Sequence, residues 1–259
     1  MTNPSPEKVA IEIPEAVSEL LFHIGHYIPS DDPRIIGWID DLTKAMPAGR
    51  AEAFLAMAVV SHITGDIDRA VRFFERAETA GAPRQWLARL RCAVYQNLGF
   101  FTEAVIHGRQ AFSIEVHNVG MGLPIVAAAG GFGFVAELLE QARLGQVDLG
   151  YVEQIEEIRQ IAQFAQSNDI PDERFSAVLD IAGSLMRERQ LIWLDDAPQL
   201  SFDEEMDCPG VRWRVDMSPE DATDMSFKFI ERLVAADLDS VPLTVGFIGS
   251  RADEMEEAN

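Results

Sequence analysis

Five histidines, two cysteines and one dense run of acids are the side chains that could do chemistry in this chain. His23 and His26 stand three apart within FHIGHY, a spacing that puts two imidazoles on one side of a helix. A zinc site needs further ligands at characteristic spacing, and no HExxH or CxxC supplies them. His62, His107 and His117 are scattered, and Cys208 is a lone thiol in a CPG turn. The acids of DEEMD, residues 203–207, could hold calcium, but the glycine and distal glutamate of an EF-hand are missing, so a solvated loop is expected. The glycines of GGFGF, 130–134, could cradle phosphate, but no strand precedes them and no GK[ST] follows. A tightly packed helix connection is the better reading. No GxSxG elbow, Walker A loop or GxGxxG is present. The expectation is a protein that is not an enzyme, with no cofactor and no metal.

The letters 23–26 spell HIGH, which is similar to the ATP-site signature of class I aminoacyl-tRNA synthetases. There the motif follows a Rossmann strand in a chain that also carries a KMSKS-type loop, and neither feature stands here. PEAVSELLFHIGHYI reads instead as an amphipathic helix with Val17, Leu20, Leu21, Ile24 and Ile28 as its core stripe. His23 and His26 fall on its exposed flank.

These side chains need elements to position them, and composition limits what those are. Of 259 residues, 47% are hydrophobic and 25% charged, enough for a sizeable core. Acids outnumber bases 43 to 21, a net charge of −22. Such a chain repels phosphate backbones and anionic membrane surfaces, which argues against nucleic-acid and membrane partners and favours basic segments of partner proteins. Two cysteines, Cys92 and Cys208, form no disulfide framework and point to a reducing compartment. MTNPSPEKVAIEIPEA lacks the basic and apolar regions of a signal peptide, and no apolar run reaches the roughly 18–20 residues of a membrane span. The localisation expected is cytoplasmic.

An internal repeat dominates the first half. Gly65 and Gly99, Ala70 and Ala104, and Ala77 and Ala111 are each offset by 34 residues. The glycines suit turns needing positive φ. Small residues at Ala58, Ala70, Cys92 and Ala104 let paired helices approach, while Phe54, Met57, Phe74 and Tyr95 fill the space between layers. Residues 51–116 thus resemble the tetratricopeptide repeat family: Phe54, Met57 and Ala58 match its first helix, and Gly65, Ala70, Phe74 and Ala77 its turn and second helix. Cys92, Tyr95, Gly99, Ala104 and Ala111 repeat the pattern, with Gly108 in place of an aromatic and Pro83 one residue late. Gly133 keeps the 34-residue spacing, but Leu138 and Gly145 replace the alanines. Flanking helices are expected at 14–28, 33–46, 151–166 and 171–189.

From Gln190 the pattern changes to short apolar or alternating runs: QLIWLDD, QLSFDEEM and VRWRV. SPED then opens a helix with Ser218 as N-cap and Pro219 at the first position, and PLTVGFIGS reads as a last strand. The fold class expected is mainly α: a flexible N-terminus at 1–13, a tetratricopeptide-like α-solenoid at 14–189, a small C-terminal α+β module of order β-β-β-α-β at 190–250, and an acidic disordered tail at 251–259. Arg212, Arg214, Lys228 and Arg232 form a basic island in that module, expected to pair with the chain's own carboxylates.

The resemblance implies a protein–protein interaction scaffold, an adaptor or chaperone holding a peptide or amphipathic helix in a concave groove. Members that clamp chaperone C-terminal carboxylates use Lys and Asn on the inner helices; helix 51–63 has neither. In size, charge and repeat type the chain is also similar to the acidic tetratricopeptide chaperones of bacterial type III secretion, which are usually shorter. The groove residues expected are Leu55, Val59 and His62 from the first inner helix and Trp86, Arg89, Gln96 and Asn97 from the second. The C-terminal module would take a second partner or self-associate through an edge strand, giving a homo-oligomer. The alternatives are a small-molecule-binding protein or enzyme using the α+β module, around Cys208, Arg212, Arg214 or Asp216, and a structural subunit of a larger assembly.

Overall fold

A computed structural model describes residues 25–113, 119–193 and 198–250, together with Glu12, Glu15 and Ala16. These residues form ten helices and a three-stranded sheet. In chain order they are α1 (Pro33–Ala45), α2 (Arg50–Ile63), α3 (Ile67–Thr79), α4 (Arg84–Asn97), α5 (Phe101–Phe112), α6 (Val119–Ala128), α7 (Phe132–Leu144), α8 (Ile155–Ser167), α9 (Asp172–Glu188), β1 (Gln199–Asp203), β2 (Cys208–Val215), α10 (Pro219–Ala235) and β3 (Thr244–Gly249). No helix among the described residues is long and apolar enough to cross a membrane.

Local chemistry sets several boundaries. Asp32 caps α1 by accepting from the Arg34 amide at 2.8 Å, with Pro33 at the first position. Asp66 caps α3 through the Arg69 amide at 2.9 Å. Ser218 caps α10 as expected: its hydroxyl accepts from the Asp221 amide at 3.0 Å and donates to the Asp221 carboxylate at 2.8 Å. The 34-residue offset corresponds to two packed helical hairpins, α2–α3 and α4–α5. Their turns use Gly65 at φ 73° and Gly99 at φ 70°, a conformation that costs other residues about 1–2 kcal/mol. In the third hairpin, α6–α7, the turn glycine is Gly130 rather than Gly133, because α6 is shorter. Gly133 instead lies in the first turn of α7, and GGFGF is a packed connection whose Gly130 abuts the backbone of Phe175 and Ser176.

Two of α5 and α7's termini are held from a distance. Neither has a local side-chain cap. The long helix α9 crosses both and supplies one acid to each. Asp180 accepts from the Phe101 amide at 2.5 Å and the Thr102 hydroxyl at 2.6 Å. Asp172, 4% exposed, accepts from the Gly133 and Phe134 amides at 2.6 and 3.1 Å. Both carboxylates sit at the positive ends of helix dipoles. Arg187 does the converse at the end of α4, donating to the carbonyls of Leu98 and Gly99. Gly99 and Gly183 meet backbone to backbone there: a Cβ on Gly99 would lie 2.5 Å from the Gly183 Cα.

The sequence expectations at both ends need correction. Residues 25–28 are extended, not the end of a helix over 14–28; Glu12, Glu15 and Ala16 are helical, and the rest of 14–24, including His23, lies outside the described residues. His26 bridges antiparallel to Leu191, and the Ile192 amide donates to the Gly25 carbonyl at 2.9 Å. Gly25 permits this, since a Cβ there would lie 2.0 Å from the Asp216 Cβ. The helix 151–166 begins at Ile155, because Gln154 adopts φ 54°. Among the described residues the C-terminal unit is β-β-α-β: within QLIWLDD, Leu191 and Trp193 make isolated bridges, to His26 and Val215. β1 and β2 form an antiparallel hairpin, and β3 returns parallel to β2 after α10. Val211, Trp213 and Val215 all point inward as the alternation requires, and Trp213 lies between Phe101 (5.4 Å) and Phe247 (6.0 Å). One continuous hydrophobic cluster runs from Ala88 on α4 through α5–α9 to Phe247 on β3. Residue 190 therefore marks a change of secondary structure inside a shared core. Apart from Glu12, the expected N-terminal arm and the acidic tail lie outside the described residues.

Candidate groove along α4 and α6

The seven expected groove residues divide into two groups. Leu55, Val59 and His62 are interior, at 7%, 8% and 2% exposure, which corrects their assignment to an open surface. Leu55 shares a cluster with Ala58 of α2 itself, Phe74 of α3 and Leu87 of α4, and Val59 shares one with Ile28, Ile35 and Leu42 from the α1 side. With neighbours on both flanks, α2 has no open face. His62 is enclosed without a hydrogen-bond partner for Nε2, and burial pushes its pKa down to about 4.

Of the four residues of α4, Trp86 lies at the surface, Arg89 and Asn97 are partly buried, and Gln96 is buried at 7% exposure. Trp86 is 63% exposed. The Arg89 guanidinium lies over the Phe112 ring, 5.6 Å from its centroid, held by the ring's negative face. Gln96 and Asn97 line a recess of about 400 Å³ with Gly120, Pro124, Ile125 and Ala128 of α6, the turn 151–154, and Trp193. Trp86 and Asn97 are eleven residues apart, so they share one side of α4 roughly 16 Å apart along its axis.

The recess has an apolar floor and a polar edge. Ala128, Val152 and Trp193 are buried, and Trp193 is stacked at 6.5 Å on Phe101, which fixes its plane. Tyr151, 69% exposed, reaches across to Gly120, where a Cβ would collide with its hydroxyl. Gln154 is already engaged: its side chain accepts from the Leu200 amide at 2.6 Å and donates to the Pro198 carbonyl at 3.4 Å. The carboxamides of Gln96 and Asn97 make no hydrogen bond among the described residues. A carboxamide offers a donor and an acceptor together, the pair a peptide group requires. The sequence marks Gln96 and Asn97, but Tyr151, Gln154 and Trp193 were read as helix and strand residues; only the positive φ of Gln154 and the bridge at Trp193 bring them here.

Two further recesses lie between α7 and α8, about 650 Å³ and edged by Arg143 and Arg159, and between α8 and β1, about 370 Å³. Both arginines are engaged, with Glu140 and Glu156 at 2.6 Å. None of the three recesses is lined by Cys208, Arg212, Arg214 or Asp216. Cys208 is half-buried with its thiol pKa pushed up by burial, and Asp216 lies 3.6 Å from His26. Of the basic island, Arg232 pairs with Glu188 through two contacts of 2.7 Å, and Arg214 is also engaged. Among the described residues no group of three His, Cys, Asp or Glu side chains is arranged to hold a metal. The DEEMD run is a hairpin turn in which Asp203 accepts from the Glu205 and Met206 amides, both at 3.0 Å.

No protein-family model, curated protein or solved structure matches this chain.

Proposed function

We propose that this chain is a tetratricopeptide-like binding protein, an adaptor or chaperone that holds a peptide or short amphipathic helix along α4 and α6. The observation that carries the reading is the recess beside Gln96 and Asn97, apolar below and lined by two uncommitted carboxamides. At about 400 Å³ it accommodates one or two anchor side chains, near the lower end of ligand-site volumes. The remainder of the segment would run along α4 towards Trp86, whose exposed ring is the kind of residue that dominates binding interfaces. The net charge of −22 favours a basic segment and works against nucleic acid. The α-helical hairpins serve as scaffold, and catalysis forms no part of this role.

Selection of peptides from a random phage library on the immobilised chain tests the reading. A selected peptide should lose at least tenfold in affinity on Asn97→Trp, which fills the recess, and severalfold on Trp86→Ala. Equal binding to a folded Asn97→Trp variant removes the site.

A further inference from the structure

The helix α10 has two apolar faces, and only one is packed against other elements among the described residues. Ala222, Met225 and Phe229 are buried against the sheet and α9. On the opposite side Phe227, Ile230 and Val234 stand at 62%, 53% and 58% exposure. Their spacing of i, i+3 and i+7 makes one continuous stripe over two turns. The polar residues beside it are not mixed. At 100° per residue, Glu220, Asp224 and Glu231 fall within about 60° of Phe227 along one edge of the stripe. None of their carboxylates has a hydrogen bond or ion pair among the described residues. The bases of the helix turn elsewhere: Arg232 is bound to Glu188 and Ser184, and Lys228 lies on the Glu188 side.

A solvated helix exposes isolated apolar side chains, but three in register beside a rail of unpaired acids fit a particular complement. We infer that this face of α10 docks a basic amphipathic helix of a partner protein, with the partner's apolar side chains on Phe227, Ile230 and Val234 and its lysines or arginines along Glu220, Asp224 and Glu231. Charge decides between occupants. A second copy of this chain would bring an equal acidic rail and another −22 charges to the same face. A basic helix neutralises the rail and covers the stripe in one step. This surface belongs to a different element from the α4–α6 recess, and the inference does not depend on that recess.

The probe is a fluorescein-labelled synthetic helix with a leucine stripe flanked by lysines, followed by anisotropy at near-physiological salt. Its counterpart with glutamate for every lysine is the control. The intact chain should bind the lysine helix and not the glutamate helix. Phe227→Ser with Ile230→Ser leaves the charge unchanged and should weaken binding at least tenfold, with the circular dichroism spectrum and melting curve retained. Glu220→Gln, Asp224→Asn and Glu231→Gln together should weaken it and flatten its salt dependence, whereas Ile36→Ser, at an exposed apolar residue of α1, should have no effect. Three results overturn the inference: no binding by the intact chain; equal binding by the serine variant, which means diffuse attraction to an acidic protein; or a dimer in sedimentation that Ile230→Ser dissociates, which makes a second copy the occupant.

Discussion

Two buried polar residues have the largest expected single-site effects. His62 is enclosed on α2 with its pKa depressed by burial to about 4, against about 6.5 in an unfolded chain. The unfolded state therefore binds a proton that the folded state refuses between these values. The histidine contributes no pH dependence above pH 6.5, and stability falls as pH drops from 6.5 towards 4 by about 1.4 kcal/mol per unit. Between pH 7 and pH 5 the chain should lose about 2 kcal/mol more than His62→Leu in urea titrations; equal losses would contradict the assignment. Asp172 combines two amide contacts with an Arg109 contact at 2.7 Å, and Arg109 also lies over Phe134. Removing it strands two helix-terminal amides and a half-buried guanidinium. Asp172→Ala should cost about 2–4 kcal/mol, and Asp172→Asn less, because the amide oxygen still accepts one bond. A loss below about 1 kcal/mol would show that the α7 terminus needs no remote cap.

Among the elements, α9 has the most far-reaching contacts. Its acids cap α5 and α7, its Arg187 meets the end of α4, and its Gly183 lets the two backbones touch. A side chain at 183 would collide with the Gly99 carbonyl oxygen, so Gly183→Ala should lower the melting temperature by several degrees. The control is Gly37→Ala, on an exposed face of α1 with nothing within 4 Å of the new Cβ, which should stabilise by about 0.5–1 kcal/mol. A Gly183→Ala variant that melts like the parent would show that α9 and α5 can part without cost. Much of this level was legible beforehand. The 34-residue offset located both glycine turns, and the alternation of VRWRV put Trp213 in the core. What was not legible depends on contacts between distant segments. Residues 25–28 continue a helical stripe in the sequence, yet the bridge between His26 and Leu191 keeps them out of a helix. The inner face assigned to Leu55, Val59 and His62 is closed by α1 and α4, although RAEAFLAMAVVSHI carries a signal of this: a helix apolar nearly all round is a buried one. Asp172, Asp180 and Gly183 had no local pattern to mark them, because each acts on a segment 38 or more residues away.

For the molecule as a whole, helices α4–α10 and the sheet share one core, so a ligand held at α4 and α6 would touch the body that also carries β2 and Trp193. The C-terminal unit is thereby part of the recess, through the bridge between Trp193 and Val215 and the Gln154 contacts to Pro198 and Leu200. The net charge of −22 acts at longer range and would favour basic over acidic segments at both proposed faces. The two faces are separable by where a bound segment protects the backbone. Hydrogen exchange of the intact chain, with and without a saturating library-selected peptide, is the most direct test of the binding role. The expected result is slowed exchange at 94–97, 120–128 and 150–154, lost in Asn97→Trp. Protection confined to 223–235, or none at any of these segments, would contradict it.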